Sequence, residues 1–194
     1  MDPPSTHLVT HLLQAVARGE PGVGDQLMAI VYDELRALAY RQMADEAGPR
    51  TLQPTALVHE AYLRLLAGGD GTFENRRHFF FAAARIMRQI RVDDARKRKR
   101  LKRGGGDKAG GLKEDPAVFD DDPAEILAVD EALQRLEAIE PRKAEVVKLR
   151  YFAGLSIEEC AETLGVSPRS VDNDWYYAKA WLHRELSKGD TKAG

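Results

Sequence analysis

The stretch Arg76–Arg103, RRHFFFAAARIMRQIRVDDARKRKRLKR, decides how the chain is organised. In its first half Phe79, Phe80, Ala83, Ile86, Met87 and Ile90 recur at helical spacing, which predicts a helix with one buried face. By the same spacing at least two of Phe79, Phe80 and Phe81 belong to the core. The second half is basic. From Arg85 onward Arg85, Arg88, Arg91, Arg96, Lys97, Arg98, Lys99, Arg100, Lys102 and Arg103 stand against Asp93 and Asp94, a net of about +8 within about 28 Å of helix. Like charge along one rod repels itself, and a polyanion with closely spaced phosphates relieves that repulsion through counterion release. A helix anchored at one end and cationic at the other points to nucleic acid; a solvated basic tail is the plainer alternative.

Upstream, three further helices are expected. Leu8, Leu12, Leu13 and Val16 form the first apolar stripe, interrupted by Gly19 and the turn Pro21–Gly24. Leu27, Ile30, Val31, Leu35, Leu38 and Ala39 form the second, and Leu57, Val58, Ala61, Tyr62, Leu65 and Leu66 the third, with Pro54 in the first turn. No alternating run of β-branched residues intervenes, so this part reads as all-α.

Downstream, GGGDKAGGLKEDPAVFDDDP (Gly104–Pro123) is rich in glycine and acid and poor in large apolar groups. It cannot bury enough surface to offset its ordering entropy and reads as a flexible linker. Counted through Glu131, the acids Asp107, Glu114, Asp115, Asp120, Asp121, Asp122, Glu125, Asp130 and Glu131 against Lys108 and Lys113 give about −7. Basic and acidic blocks therefore cancel in the formal net charge of −2 while leaving a steep local field, and the acidic linker could shield the basic helix. The expected organisation is two small helical domains, 1–103 and 124–194, joined by residues 104–123.

In the second domain Ile126, Val129, Leu133 and Leu136 mark one helix, and Val146, Val147, Leu149 and Phe152, after Pro141, another. Ser156 and Glu159 make a capping box before Ile157, Cys160, Ala161 and Leu164. Gly165 ends that helix, and Ser167 with Pro168 starts the next, whose buried side is Val171, Trp175, Ala178 and Leu182. Capped helix, glycine, short turn and capped helix is the layout of a helix-turn-helix, whose second helix enters the major groove. An ordinary helical hairpin is the alternative.

VYDELRALAYRQM (Val31–Met43), TLQPTALVHEAYLRLL (Thr51–Leu66) and HFFFAAARIMRQIRVDDARKRKR (His78–Arg100) resemble the promoter-melting domain of bacterial sigma factors, and the resemblance extends over both domains, about residues 8–187. It is nearest to the extracytoplasmic-function (ECF) group. That resemblance implies a subunit that binds core RNA polymerase, through the β′ clamp helices and the β flap, and recognises promoter DNA at its −10 and −35 elements. His59, Glu60 and Arg64 are then the candidates for the polymerase contact. Phe73, Asn75, Arg76 and Arg77, in the loop Gly71–His78, are candidates for the unpaired −10 strand, where stacking holds flipped bases. Phe73 stands where relatives often carry tryptophan.

Along the basic helix Arg88, Arg91 and Arg96 would meet the duplex upstream of the −10 element. Ser167, Arg169, Ser170, Asp172, Asn173 and Tyr176 would face the −35 groove, where arginine suits guanine, asparagine adenine, and aspartate can accept from cytosine. Asp172 and Asp174 make this helix less basic than its relatives. An anti-sigma factor is a further candidate partner.

Other classes fit less well. Cys160 is the single cysteine, which excludes an intramolecular disulfide and a multi-cysteine zinc site and favours a reducing, cytoplasmic setting. No apolar run is long enough to span a membrane, and no signal-peptide pattern opens the chain. His59 with Glu60, His78, Cys160 and His183 have neither a paired base nor metal-ligand spacing, so neither an enzyme nor a metal or other cofactor is expected. The serious rival is an autonomous helix-turn-helix repressor or activator, which would bind operator DNA as a dimer on a palindromic site.

Overall fold

The computed structural model describes residues 4–43, 52–67, 73–104 and 123–190. Nearly all of the expected linker lies outside the described residues, as do Gly71 and Thr72 of the loop before the basic helix. The elements are α1 (Pro4–Ala17), α2 (Val23–Gln42), α3 (Pro54–Ala67), α4 (Arg76–Gly104), α5 (Pro123–Ile139), α6 (Pro141–Val147), α7 (Ile157–Leu164) and α8 (Pro168–Asp190). A π-helical turn, Lys148–Phe152, prolongs α6. No strand occurs among the described residues, so the fold is all-α, as the apolar periodicity predicts. Packing divides the chain into two compact units, and the division falls inside α4, between Ile90 and Arg91.

In the first unit α2 packs against both α1 and α3. Leu13, Leu27, Leu35, Leu38, Leu57, Phe79 and Met87 are fully enclosed, so every expected stripe contributes to one core. Leu8 departs from expectation, being 49% exposed, because α1 turns Val9, Leu12, Leu13 and Ala15 inward instead. Two polar bonds tie distant segments. The Tyr62 hydroxyl donates to the Gly24 carbonyl, and Gln42 Nε2 donates to the Ala84 carbonyl at 3.1 Å.

The second unit encloses Leu133, Leu136, Ala144, Val146, Leu149, Val171 and Ala178 where α5, α6 and α8 meet. Ahead of them Val92 and Ala95, from the last part of α4, are buried with Leu127 of α5, and Ile126 packs against the three. The π turn widens the end of α6, with Ala153 N–H donating five residues back to the Lys148 carbonyl, and Leu149 and Phe152 are both buried across it. Trp175, expected to be buried, is only partly so: the Arg150 guanidinium and the Lys179 ammonium each lie 5.5 Å from its ring centre. Cys160 is buried as a free thiol.

Candidate nucleic-acid interface

The helix pair α7–α8 is set by local chemistry. Ser156 accepts from the Glu159 N–H at 3.1 Å, and the Glu159 carboxylate accepts from the Ser156 N–H at 2.8 Å, so the capping box closes in both directions. At the other end Gly165, at φ +64°, takes the left-handed turn that a side chain would strain. The Val166 N–H then reaches the Ala161 carbonyl at 3.0 Å and the Gly165 N–H the Glu162 carbonyl at 3.4 Å, a Schellman closure. Ser167 caps α8, its hydroxyl accepting from the Ser170 N–H at 3.2 Å and sharing a hydrogen bond with the Ser170 hydroxyl at 2.9 Å.

α8 therefore presents two faces. Val171, Asp174 and Ala178 point inward with Trp175 beside them. Arg169, Asp172, Asn173 and Tyr176 follow at three- and four-residue steps on the other side, all exposed, with Tyr176 at 76%. Those four side chains form the outer strip that could reach a groove. Ser167 and Ser170 sit at its N-terminal end with their hydroxyls engaged in the cap. Asp174 is not on the strip: it is buried and accepts from Arg142 Nε at 2.7 Å and Nη2 at 3.3 Å, and that bond raises the guanidinium's already high pKa.

At the head of α4 Phe73, one of the residues expected at the strand, is held in an aromatic cluster. The Phe73 ring meets His78 edge-on at 5.8 Å and Phe79 at 5.3 Å, and Phe79 meets Phe80 at 5.3 Å. Asn75 Oδ1 accepts from the His78 N–H at 2.9 Å, which makes Asn75 the cap of α4. Arg76 is paired with Glu34 of α2 and lies 4.8 Å from the Phe80 ring centre, so its charge is partly used inside the fold. Arg77 is half-buried.

Further along, Arg88 and Arg91 are half-buried, Arg98 pairs with Asp94 at 2.9 Å, and Arg96 Nη2 lies 3.4 Å from Asp130 Oδ2. Among the described cations of α4, Arg85, Arg96, Lys97 and Arg100 are exposed.

On α3, His59 is exposed, and Glu60 and Arg64 form an i,i+4 pair at 2.5 Å. Leu63, one turn beyond His59 and Glu60, is 53% exposed. Sequence periodicity passed over it because it falls off the buried stripe, and a single exposed apolar residue is ordinary on a protein surface. Among the described residues no group of three or more His, Cys, Asp or Glu is placed to hold a metal ion, and no helix is long and apolar enough to cross a membrane.

Comparison with known proteins agrees with this arrangement at the level of family. No curated protein matches the chain. The sequence profile described as ECF sigma factor matches residues 6–188, which reaches from within α1 to the last turn of α8 and so spans both compact units. That span is nearly the whole sequence, and the chain belongs to the ECF sigma factor family, whose members act with RNA polymerase on promoter DNA in transcription initiation.

Proposed function

We propose that this protein binds core RNA polymerase and directs it to promoters carrying matched −10 and −35 elements. In this reading residues 1–103 are the polymerase-binding and strand-opening domain and 124–194 the −35 reader. The observation that carries it is the family match from residue 6 to residue 188, together with the exposed strip Arg169, Asp172, Asn173, Tyr176 on a doubly capped helix pair. His59, Glu60, Arg64 and the exposed Leu63 form the polymerase-facing side of α3, touching the β′ clamp helices, while the second domain meets the β flap. Phe73, with the cluster behind it, receives an unpaired base, and the cations of α4 follow the backbone. An anti-sigma factor would act by covering one of these faces.

Run-off transcription with purified core polymerase and fragmented genomic DNA tests the proposal. Discrete transcripts that share two upstream elements and vanish without the protein are expected. Transcription by core polymerase that is the same with and without it would remove the proposal.

A further inference from the structure

Along the outer strip of α8 the polar side chains stand free. Arg169, Asp172, Asn173 and Tyr176 are exposed, and among the described residues no ion pair or side-chain hydrogen bond engages any of them. Two other carboxylates of the same helix are taken up: Asp174 accepts from Arg142 Nε at 2.7 Å, and Glu185 pairs with Lys188 at 2.6 Å. Arg169 stands three residues from Asp172, near enough on a helix face for an ion pair, yet the two do not join. The strip is also held still. Ser167 caps its N-terminal end, and Asp174 on the inner face ties α8 to α6 through Arg142, so the side to which Asp172 points is set by the fold.

A free carboxylate on a DNA-facing strip is repelled by the phosphates of any duplex, so it weakens binding unless a base edge offsets the loss. A carboxylate accepts hydrogen bonds and donates none. In the major groove guanine presents two acceptors, thymine an acceptor and a methyl group, and adenine an amino group beside the acceptor N7; cytosine alone presents only a donor, its N4 amino group. We infer that Asp172 is a specificity-determining residue, which restricts one position of the −35 element to cytosine by accepting from its N4 and by repelling the acceptors that the other bases place there. The inference rests on the reading of α8 as the −35 helix and deepens it. Arg169 lies about 5–6 Å away along the same face, less than two base steps, and so meets a guanine on the same or a neighbouring pair. The two charges cancel, which leaves the strip little general attraction for phosphates and puts its weight on the match.

The test is the promoter affinity of the full-length chain with core RNA polymerase, on a promoter recovered by run-off transcription, with each −35 pair changed in turn to the other three. The parent is expected to require cytosine at one pair and to lose about fivefold or more with any other base there. Asp172→Ala should erase that preference at that pair and leave the rest of the element read as before. Asp172→Asn should turn it toward adenine, which asparagine matches at N6 and N7. Both variants change an exposed side chain without a partner, so neither puts folding at stake. If Asp172→Ala tightens binding by the same factor on every sequence, or alters none, the carboxylate is only a solvated charge: the inference is overturned, while the parent's dependence on the element keeps the −35 reading. If no −35 substitution alters the parent's binding, that reading falls and the inference with it.

Discussion

The Tyr62 hydroxyl bridges α3 to the start of α2 through the Gly24 carbonyl. Burial first, and then the negative charge of Asp25, push this phenol up to about 12, against about 10 for an ordinary tyrosine. The folded state thus holds the proton more tightly than the unfolded chain. The stabilisation is fully present below about pH 10 and is lost as pH rises through about 12. Spectrophotometric titration should show one of the six tyrosines ionising late, at about 12. Tyr62→Phe should abolish that late step and lower stability by about 0.5–1.5 kcal/mol. A Tyr62 that titrates near 10 would show the hydroxyl to be open to water.

Arg169 lies at the N-terminal end of the exposed strip of α8, and Arg169→Ala should weaken −35 recognition by about 1–3 kcal/mol, the scale of one bidentate base contact, without lowering thermal stability. Binding to matched and unmatched promoters reads this; an equal loss on both would make it a phosphate contact instead. Residue roles were only half legible in the sequence. Asp172 and Asp174 look alike there, yet the helical step sends one outward and the other into a bond with Arg142. Asn75, whose type suits base reading, spends its side-chain oxygen on capping α4.

Elements were far more legible than residues wherever the signal was local. The capping box, the glycine and the second cap lie within a dozen residues and specify α7, the turn and the start of α8 without help from the rest of the chain. Ser156→Ala should therefore cost about 1 kcal/mol in chemical denaturation followed through the second unit, and Ser156→Thr much less. No loss on alanine substitution would mean that packing alone fixes α7. The π turn left no mark in the sequence, since it arises from fitting both Leu149 and Phe152 into one core. The sharing of α4 between two units was equally hidden: its charge reads as solvent-facing, while the burial of Val92 and Ala95 depends on Leu127, more than thirty residues away.

For the molecule as a whole, opposite charges that cancel in the total are separated along the chain, with cations on α4 and carboxylates after it. A self-sufficient regulator would carry its own affinity for duplex DNA and a dimer symmetry matched to a palindrome. A polymerase subunit needs neither, because the larger assembly supplies the remaining contacts and two separated elements are read together, each weakly. The difference is decided by promoter affinity measured on one labelled duplex with the protein alone and with the protein plus core RNA polymerase. The account predicts weak, salt-sensitive binding alone and specific binding, abolished by changing either element, once polymerase is present. Tight, specific binding by the protein alone, unchanged by polymerase, would contradict it.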